Sequence, residues 1–457
     1  MRSGSLPWLA PAVLLAATAC SQASEEQSTS VKPSAAARPA EPVETAVPFN
    51  EGQARRILQM SPLPPLPPDP TNRYADDPRA AHLGQALFFD ERLSANGAVS
   101  CATCHDPDRG FSDGRQLAMG QSLGNRHTPT LWNVAHHRWL TWDGRADSLW
   151  MQALDPIEDP REMGTTRGKL ARVIAEDPAL RAAYEAAFGP MDEAALRERP
   201  DDARPARGRE AASGPGAPEP VRAWAALDQE ERAAIDAVFV HAGKAMAAYQ
   251  RLLVRGDAPF DRFVEGLREN DAEKVESLSA GAQRGLALFM GRANCILCHS
   301  GPNFSDGEFH NNALPTLHGG EARDSGRFDG AKVVAASSFN AAGPHSDQRD
   351  GPAALRVRQL RQSSEAWGEF RTPSLRNLAH RGPFMHQGQF EDLEGVIEFY
   401  SELKGATGRG HHQEQVLVPL RLSVGEKEDL RAFLAALEGR EAASQLLSPP
   451  SQSALAR

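Results

Sequence analysis

The sequence predicts a mainly α-helical protein built from two tandem domains. Apolar residues recur at helical spacing through most of the chain, for example from residue 170 to residue 188. Runs with the alternating pattern of a strand are few. Four sequence landmarks also occur twice in the same order, which indicates two copies of one folding unit. A length of 457 residues leaves room for both copies and for accessory segments.

The N-terminus has the pattern of an export signal followed by a tether. Residues 1–19 contain one early arginine and an apolar run too short to span a bilayer, and small residues lead into Cys20. We favour a lipoprotein anchored through Cys20 in the periplasm or cell envelope, although Ala17 stands where such signals usually have leucine. Ordinary cleavage after Ala19 is the alternative. Residues 20–78, rich in Ser, Ala and Pro, are predicted to form the tether.

Composition sets the remaining boundaries and excludes one class of partner. Residues 79–228 and 229–440 are the two predicted domains, and residues 441–457 form a tail. A low-complexity insert at about 197–224 is predicted to be a surface loop or a disordered insertion. The net charge is −10 and the basic residues form no stripe, which argues against a nucleic-acid partner. The membrane is expected to be reached only through the lipid anchor.

The duplicated landmarks define equivalent positions in the two halves. In chain order, the matched pairs are GQALFFD with GLALFMG, CATCH with CILCH, two FSDG runs, and residues 128–144 with residues 372–388. The last two segments have the same length and both begin with Thr-Pro and end with Gly. Four landmarks in one order are hard to obtain by chance, so each half is expected to be one unit of the same kind.

Each half carries one C-x-x-C-H motif, which attaches haem through two thioether bonds and supplies an axial histidine to the iron. C-x-x-C alone can also be a redox disulfide or half of a zinc site. The histidine in both copies and the export signal favour haem, and apart from Cys20 no cysteine lies outside the two motifs. The predicted attachment residues are Cys101, Cys104 and His105 in the first half and Cys295, Cys298 and His299 in the second, with both histidines as iron ligands.

With these motifs the chain resembles the bacterial dihaem cytochrome c peroxidase and MauG family. The segments that carry the resemblance are GQALFFDERLSANGAVSCATCHDPDRGFSDGR, TPTLWNVAHHRWLTWDGR, PIEDPREMG, CILCHSGPNFSDGEFHN and FRTPSLRNLAHRGPFMHQG. It covers about residues 79–440 apart from the inserts. The resemblance implies two cytochrome c-like domains with long loops and two haem c groups, the first for reaction with peroxide and the second for electron transfer.

The resemblance also implies roles for residues near the first haem. Gln121 stands where dihaem peroxidases have a resting distal histidine, so the first iron is expected to be open without prior reduction, as in MauG-type enzymes. Glu162 is implied as the general acid and base, Gln152 as an amide of the distal pocket, and Trp142 as a relay between the haems. Without the resemblance, Glu162 would be interpreted as a solvated acid and Trp142 as a core residue.

The sixth ligand of the second haem is left open by the sequence. The family uses a methionine after the Gly of the turn, or in MauG a tyrosine in this region. Here Gly388 is followed by Gln389 and Phe390, and phenylalanine cannot bind iron. Met385 and His386 are nearby substitutes, although His386 corresponds to Trp142 in the repeat and is equally explained as a residue that lines the pocket.

Histidines between the motifs and a family calcium site complete the candidates. His127, His136 and His137 follow the first motif and could reach the first iron, but ordinary hydrogen-bonded histidines are the alternative for each. The family binds calcium through an asparagine at the position of His127, and imidazole is a poor ligand for a hard cation. Carbonyl groups near Arg371 and Pro373 are the remaining candidate calcium ligands.

The sequence therefore predicts a dihaem c-type peroxidase. Hydrogen peroxide is expected to be reduced at the N-terminal haem with electrons relayed from the C-terminal haem. A small cytochrome c, a cupredoxin or a partner protein is the expected electron donor. Two alternatives are a MauG-like oxidase that modifies side chains of a partner protein, and a dihaem electron carrier without peroxidase activity. A high-spin band in the ferric absorption spectrum would exclude the carrier.

Overall fold

The computed structural model of the chain describes residues 43–192, 202–317, 324–379, 381–407 and 414–451. These residues are mainly helical, as the sequence predicts. In chain order the α-helices are α1 (Glu51–Gln59), α2 (Pro78–Phe89), α3 (Cys101–Cys104), α4 (Leu149–Glu158), α5 (Arg167–Glu176), α6 (Pro178–Phe188), α7 (Glu219–Ala226), α8 (Gln229–Arg251), α9 (Pro259–Glu269), α10 (Ala272–Val275), α11 (Ala280–Met290), α12 (Arg327–Ala336), α13 (Pro352–Gln359), α14 (Leu393–Glu402) and α15 (Val424–Ala435). Two short antiparallel strands pair with each other, β1 (Phe309–His310) and β2 (Phe370–Arg371). Within the described ranges, no helix combines the length and the apolar character that a membrane span requires.

The two halves are built on the same helix crossing. Helix α2 packs against α8 in the first half, and α11 packs against α15 in the second. Gly84 of α2 lies against the carbonyl oxygen of Ala245, which a Cβ would approach to 1.9 Å. Gly285 of α11 lies in the same way against Asp429, where the distance would be 2.0 Å. Any side chain at either glycine would clash with backbone, so the glycine of each GxALF run is what allows the crossing.

The aromatic core below each crossing is duplicated as well. Phe88 meets Phe111 edge to face at 6.1 Å between ring centroids and 66° between planes, and Phe289 meets Phe304 with the same two values. Phe111 and Phe304 open the two FSDG runs, with φ of 59° and 49°. Both rings are fully buried. The FSDG phenylalanine therefore anchors an unusual backbone turn in the core of each half.

The predicted boundary between residues 228 and 229 is wrong. Helix α8 belongs to the N-terminal core, where Phe239 and Tyr249 are buried with the residues of α2 and α4. Helix α8 is thus the N-terminal counterpart of α15. The buried residues that continue from α8 into this core end at Leu253, just after the helix, so the first domain extends to that residue. Helical periodicity identified the helix but not its packing partner, since that depends on a contact far away in sequence.

The tether and the tail are also corrected where the structure describes them. Residues 43–78 pack on the protein, with Ile57 and Met60 buried in the C-terminal core, and the Ser61 hydroxyl donates to Asp261 at 2.6 Å. In the tail, the Leu446 carbonyl accepts a hydrogen bond of 2.6 Å from the buried Tyr249. Leu446 also packs against the N-terminal core. Each end of the domain pair is therefore fixed to the opposite domain.

The described part of the insert is mainly loop and packs against α5. Ala203 is completely buried, and its carbonyl accepts from the amide of Gly168 at 3.1 Å. Arg204 and Glu210 form an ion pair of 2.7 Å, and α7 begins within the predicted insert. Composition alone does not reveal the contact with α5, because it joins backbone groups that are far apart in sequence. Residues 193–201, like the export signal and Cys20, lie outside the described residues.

Candidate functional site

The histidines of the two C-x-x-C-H motifs make the same hydrogen bond to the backbone. His105 follows the short helix α3, and its Nδ1 lies 3.0 Å from the carbonyl oxygen of Phe111. His299 Nδ1 lies 3.0 Å from the carbonyl of Phe304. Because a carbonyl only accepts, Nδ1 carries the proton in both rings and Nε2 keeps its lone pair, as an iron ligand requires. Burial lowers the pKa of both histidines, which favours the neutral form that binds metal.

The four motif cysteines fit covalent attachment. All four are free thiols in the structure, so no disulfide competes with thioether formation. Burial raises the pKa of Cys101 and Cys104 to about 12, and the same holds for Cys295. Cys101, Cys104 and Cys295 thus stand as neutral thiols beside the neutral histidine of their motif. Two such sets, one per repeat, fit two haem c groups.

Glu162 and Gln121 lie together at the first site. The amide of Gln121 donates to the Glu162 carbonyl at 2.9 Å. The Gln121 side chain donates to Asn96 Oδ1 at 2.9 Å and to the Met163 carbonyl at 3.3 Å. Its amide group therefore holds the loop that carries Glu162. Gln152 lies on α4 with a half-buried side chain, in the helix that leads into this loop.

The carboxyl group of Glu162 is close to the first pair of thiols and to Arg145. Its charge acts on both Cys101 and Cys104. Burial raises the pKa of Glu162, and the Arg145 guanidinium, 3.8 Å away, opposes this shift. The side chain remains 37% exposed. Glu162 therefore combines access from solvent with a pKa above its ordinary value, as proton transfer at the first site requires.

Arg145 stands at the centre of an acidic cluster. Besides Glu162 it contacts Asp155 at 3.2 Å and Asp143 at 3.7 Å. Asp155 also forms an ion pair of 3.0 Å with Arg207 of the insert. The insert, which sequence composition marks only as low-complexity, thus reaches the same carboxylate that positions Arg145 beside Glu162.

Trp142 joins the two halves through hydrogen bonds that repeat across the duplication. Its indole Nε1 donates to the His127 carbonyl at 2.8 Å, and its own carbonyl accepts from the amide of Arg371 at 2.8 Å. The equivalent residues behave alike, since the His127 amide donates to the His386 carbonyl at 2.9 Å. Trp142 also lines the cavity at the second motif. The structure therefore brings Trp142 to the junction of the two sites.

A deep cavity adjoins the second motif. It holds about 1310 Å³ of empty space, part of it open to solvent. Cys295 and His299 lie in its wall, together with side chains from the N-terminal half such as Trp142. The apolar part of the wall consists of Phe289, Leu375, Leu378, Phe384, Leu393, Val396, Ile397, Leu420, Leu422, Leu430 and Leu434. An apolar cavity at a C-x-x-C-H motif fits the faces of a porphyrin.

Tyr400 is a residue of the second cavity that the sequence reasoning missed. Its phenol lines the cavity, accepts from Asn312 Nδ2 at 3.1 Å, and has a pKa raised by burial. Met385 lines the same cavity. His386 is absent from the described lining and its ring stacks on Phe370 at 3.7 Å. Tyr400 and Met385 are therefore the candidate sixth ligands. The available signal was a tyrosine on an amphipathic helix shortly after the MHQG turn of the second half.

The imidazole of His127 is engaged within the chain. Its Nδ1 lies 2.7 Å from the Arg115 carbonyl and its Nε2 lies 3.3 Å from the Ser112 hydroxyl. Burial lowers the pKa of His127, which keeps the ring neutral. Both ring nitrogens thus have protein partners at the position where the family carries its calcium-binding asparagine. This contact pattern agrees with the poor match between imidazole and a hard cation.

His136 and His137 have different surroundings. His137 is half-buried and lies 3.0 Å from the guanidinium of Arg371, in the lining of the second cavity. His136 Nε2 is buried without a hydrogen-bond partner among the described residues. Burial lowers the pKa of both rings. His137 therefore belongs to the second site and not to the first.

Comparison with known proteins identifies the family. The family model described as di-haem cytochrome c peroxidase matches residues 78–269. The methylamine utilization protein MauG of Methylorubrum extorquens is 33% identical over 375 residues, which cover 82% of this chain and 82% of that protein. The chain belongs to the di-haem cytochrome c peroxidase and MauG family. Membership makes it an oxidoreductase with two c-type haems, for which the two motifs above provide the attachment residues.

Other relatives of this di-haem protein include peroxidases. The cytochrome-c peroxidase IdrP2 of Pseudomonas sp. strain SCT is 30% identical over 385 residues, with 84% of this chain and 86% of that protein covered. A crystal structure of a MauG-like protein associated with microbial copper homeostasis superposes with a TM-score of 0.59 at 27% identity, covering 85% of this chain and 98% of that one. The fold and the family are thus shared by enzymes named for peroxidase and for MauG activity.

Proposed function

We propose that this di-haem protein is a peroxidase that reduces hydrogen peroxide at the site of Cys101, Cys104 and His105. Electrons reach that site from the second haem, at Cys295 and Cys298. When bound, haem iron supplies peroxide binding and one-electron chemistry. The observation that carries the proposal is the position of Trp142 between the two sites.

A short bonded route runs from His105 to Trp142, which lines the cavity at the second motif. His105 is held by the Phe111 carbonyl, and the next residue, Ser112, lies 3.3 Å from His127 Nε2. The His127 carbonyl accepts from the Trp142 indole at 2.8 Å, and the indole lines the second cavity. Each step from His105 to the Trp142 indole is a covalent bond or a hydrogen bond, and Trp142 and His299 line the same cavity. This supports Trp142 as the relay for electrons between the haems.

Glu162 is proposed to move the proton that O–O cleavage needs. As a carboxylate, Glu162 would accept a proton from one oxygen of hydrogen peroxide and return it to the other oxygen, which would leave as water. Burial raises the pKa of Glu162, so the group binds and releases a proton nearer to neutral pH than an ordinary glutamate. The hydrogen bonds of Gln121 to Met163 and Asn96 fix the loop in which Glu162 stands.

Tyr400 is proposed as the sixth ligand of the second haem. A phenolic oxygen is a known axial ligand to haem iron. The Tyr400 hydroxyl shares the cavity with His299, and its charge would act on both Cys295 and Cys298. The Asn312 amide, a donor at 3.1 Å, would stabilise the anionic phenolate that binds ferric iron. Met385 is the alternative ligand from the same cavity.

A MauG-like oxidase that modifies a partner protein is the second candidate. The observation that favours it is Gln121 at the position of a distal histidine, bonded to the loop wall and not to the site of peroxide. The named MauG relative is 33% identical to this chain over 375 residues. In this reaction the electrons come from side chains of the partner and not from a small cytochrome c or a cupredoxin.

Spectra and turnover of the purified holoprotein test the proposal. A peroxidase should show a high-spin contribution in the ferric spectrum and should consume hydrogen peroxide with a reduced small cytochrome c as donor. Only low-spin haem together with no peroxide consumption would contradict it. If peroxide is consumed without any donor and the oxidising equivalents persist until a partner protein is added, the oxidase is favoured.

Export and lipid attachment are proposed from the N-terminal sequence. The run of small residues before Cys20 supports an envelope lipoprotein. Labelling of cells with a fatty acid should mark the protein, and Cys20→Ser should remove the label and release the protein into the soluble fraction. Retention of the label in that variant would contradict attachment through this cysteine.

A further inference from the structure

The cavity at the second motif has a cationic end. Arg371 and Arg381 lie in its lining, 6% and 9% exposed, together with His137 from the other half of the repeat. Among the described residues that line the cavity there is no aspartate or glutamate. The cavity therefore offers two buried guanidinium groups to whatever occupies it, without an acid in its own wall.

The hydrogen bonds of Arg371 go to neutral partners. Its Nη1 donates to the Thr372 carbonyl at 3.1 Å and lies 3.0 Å from His137 Nδ1. Its Nε donates to the Thr141 carbonyl at 3.3 Å. These contacts orient the guanidinium but do not balance its charge, since none of the three partners is an anion.

Arg381 is satisfied even less completely. Its Nη2 reaches the carbonyls of Arg376 at 3.2 Å and Ser374 at 3.5 Å, and its Nε is buried without a partner among the described residues. The acid whose charge acts on Arg381 is Glu438, which pairs with Arg255 at 2.8 Å. Desolvation lowers the pKa of Arg381 to about 10, and the same holds for Arg371. Buried cations without a paired anion are costly, so an anionic occupant is expected.

We propose that Arg371 and Arg381, with His137, bind the two propionate carboxylates of the haem attached at Cys295 and Cys298. This inference rests on the haem attachment that the family establishes for this motif. Two carboxylates match two guanidinium groups in number, charge and hydrogen-bonding geometry. The donors that the chain leaves free, above all Nε of Arg381, are then used.

Arg371 also connects this site to the relay. Its backbone amide donates to the Trp142 carbonyl at 2.8 Å, while its side chain lies at the cationic end of the cavity. A carboxylate bound to the guanidinium would thus be joined to the Trp142 segment through one residue. The corresponding position of the first half carries His127, whose burial lowers its pKa and keeps it neutral. The paired arginines are therefore a specialisation of the second site.

The test is the reduction potential of the second haem, measured by spectroelectrochemical titration of the holoprotein without peroxide. Removing a buried positive charge beside a haem disfavours the ferrous state. In Arg371→Gln and in Arg381→Gln, we expect the ferrous-to-ferric ratio of the second haem at fixed potential to fall about tenfold, which is about 59 mV for one electron. Arg371→Lys keeps the charge and should keep most of the potential.

Arg284→Gln is the matched control, since this arginine of the same domain is 57% exposed and paired with Asp429. It should leave both haems unchanged. Thioether bonds retain the haem in every variant, so loss of cofactor does not obscure the reading. If one glutamine variant fails to fold, the other decides alone. Unchanged potentials in a folded glutamine variant, or a shift confined to the first haem, would overturn the proposal. Failure of peroxide turnover with these shifts present would instead count against the peroxidase.

Discussion

The backbone amide of His127 donates to the carbonyl of His386 at 2.9 Å, across the boundary between the two halves. In the repeat, His127 corresponds to Arg371, and His386 corresponds to Trp142. The equivalent bond therefore joins Arg371 and Trp142, and in it the Arg371 amide donates to the Trp142 carbonyl at 2.8 Å. The junction between the haem sites is therefore a symmetric pair of hydrogen bonds, with an indole on one side and an imidazole on the other. Trp142, the proposed relay, thus occupies one of two structurally equivalent positions.

Replacing Trp142 should slow electron transfer more than it affects stability. Trp142→Phe keeps an aromatic ring but loses the 2.8 Å hydrogen bond to His127, a cost of about 1 kcal/mol in unfolding free energy. Stopped-flow oxidation of the second haem after peroxide addition should become at least several-fold slower. Trp367→Phe, at a surface position 41% exposed, is the control and should leave the rate unchanged. Equal rates in both variants would exclude Trp142 as the relay.

Glu162→Gln should lower the rate of reaction with peroxide by about 100- to 10,000-fold, the usual contribution of general acid and base catalysis. The wild-type rate should fall as the pH falls through the pKa of Glu162, because protonation removes the base. Burial raises this pKa, so the loss should begin at a higher pH than an ordinary glutamate would give. The variant should lack this limb of the pH profile. Glu176→Gln, 68% exposed on α5, serves as the control.

The insert should influence the same pH profile through Asp155. Arg207→Ala removes a partner at 3.0 Å from this carboxylate and leaves it more negative beside Arg145 and Glu162. Nearby negative charge raises a carboxyl pKa, so the limb should move to higher pH. Arg209→Ala, an exposed residue of the same insert, should not move it. Superimposable profiles for both variants would separate the insert from the reaction.

Two variants distinguish the candidate ligands of the second haem. If Tyr400 binds the iron, Tyr400→Phe should change the low-spin signals of that haem, and Tyr400→Met should raise its reduction potential, because thioether ligation favours the ferrous state. Met385→Leu should leave the spectrum as in the wild type. The reverse pattern, with a spectrum sensitive to Met385 alone, would assign the ligand to the turn and not to α14.

The helix crossings should tolerate no side chain. In Gly285→Ala the new Cβ would lie 2.0 Å from the Asp429 carbonyl, so α11 and α15 must separate. We expect a loss of roughly 1–3 kcal/mol in unfolding free energy, as for other overpacked cores. Gly425→Ala, where a Cβ meets open space at the start of α15, is the control for chemical denaturation.

Local motifs carried most of what the sequence predicted. Attachment by Cys101 and Cys104 follows from five consecutive residues, and the repeat then supplies its counterpart in the second half. Tyr400 was missed because the spacing between the turn and a ligand on the next helix is not part of any motif. Helix α8 was assigned to the wrong domain because its partner, Gly84, lies far away in sequence. The packing of the insert could not be predicted, because composition does not reveal the contact between Arg207 and Asp155.

The chain ends described earlier cross over: the segment before α2 buries Ile57 in the C-terminal core, and the tail after α15 brings Leu446 to the N-terminal core. Neither domain is thus self-sufficient, although the duplicated sequence pattern suggests two independent units. A gene fragment encoding one half would lack a piece of its own hydrophobic interior. Fusion or exchange of single haem domains with relatives must therefore carry the flanking segment of the other half along.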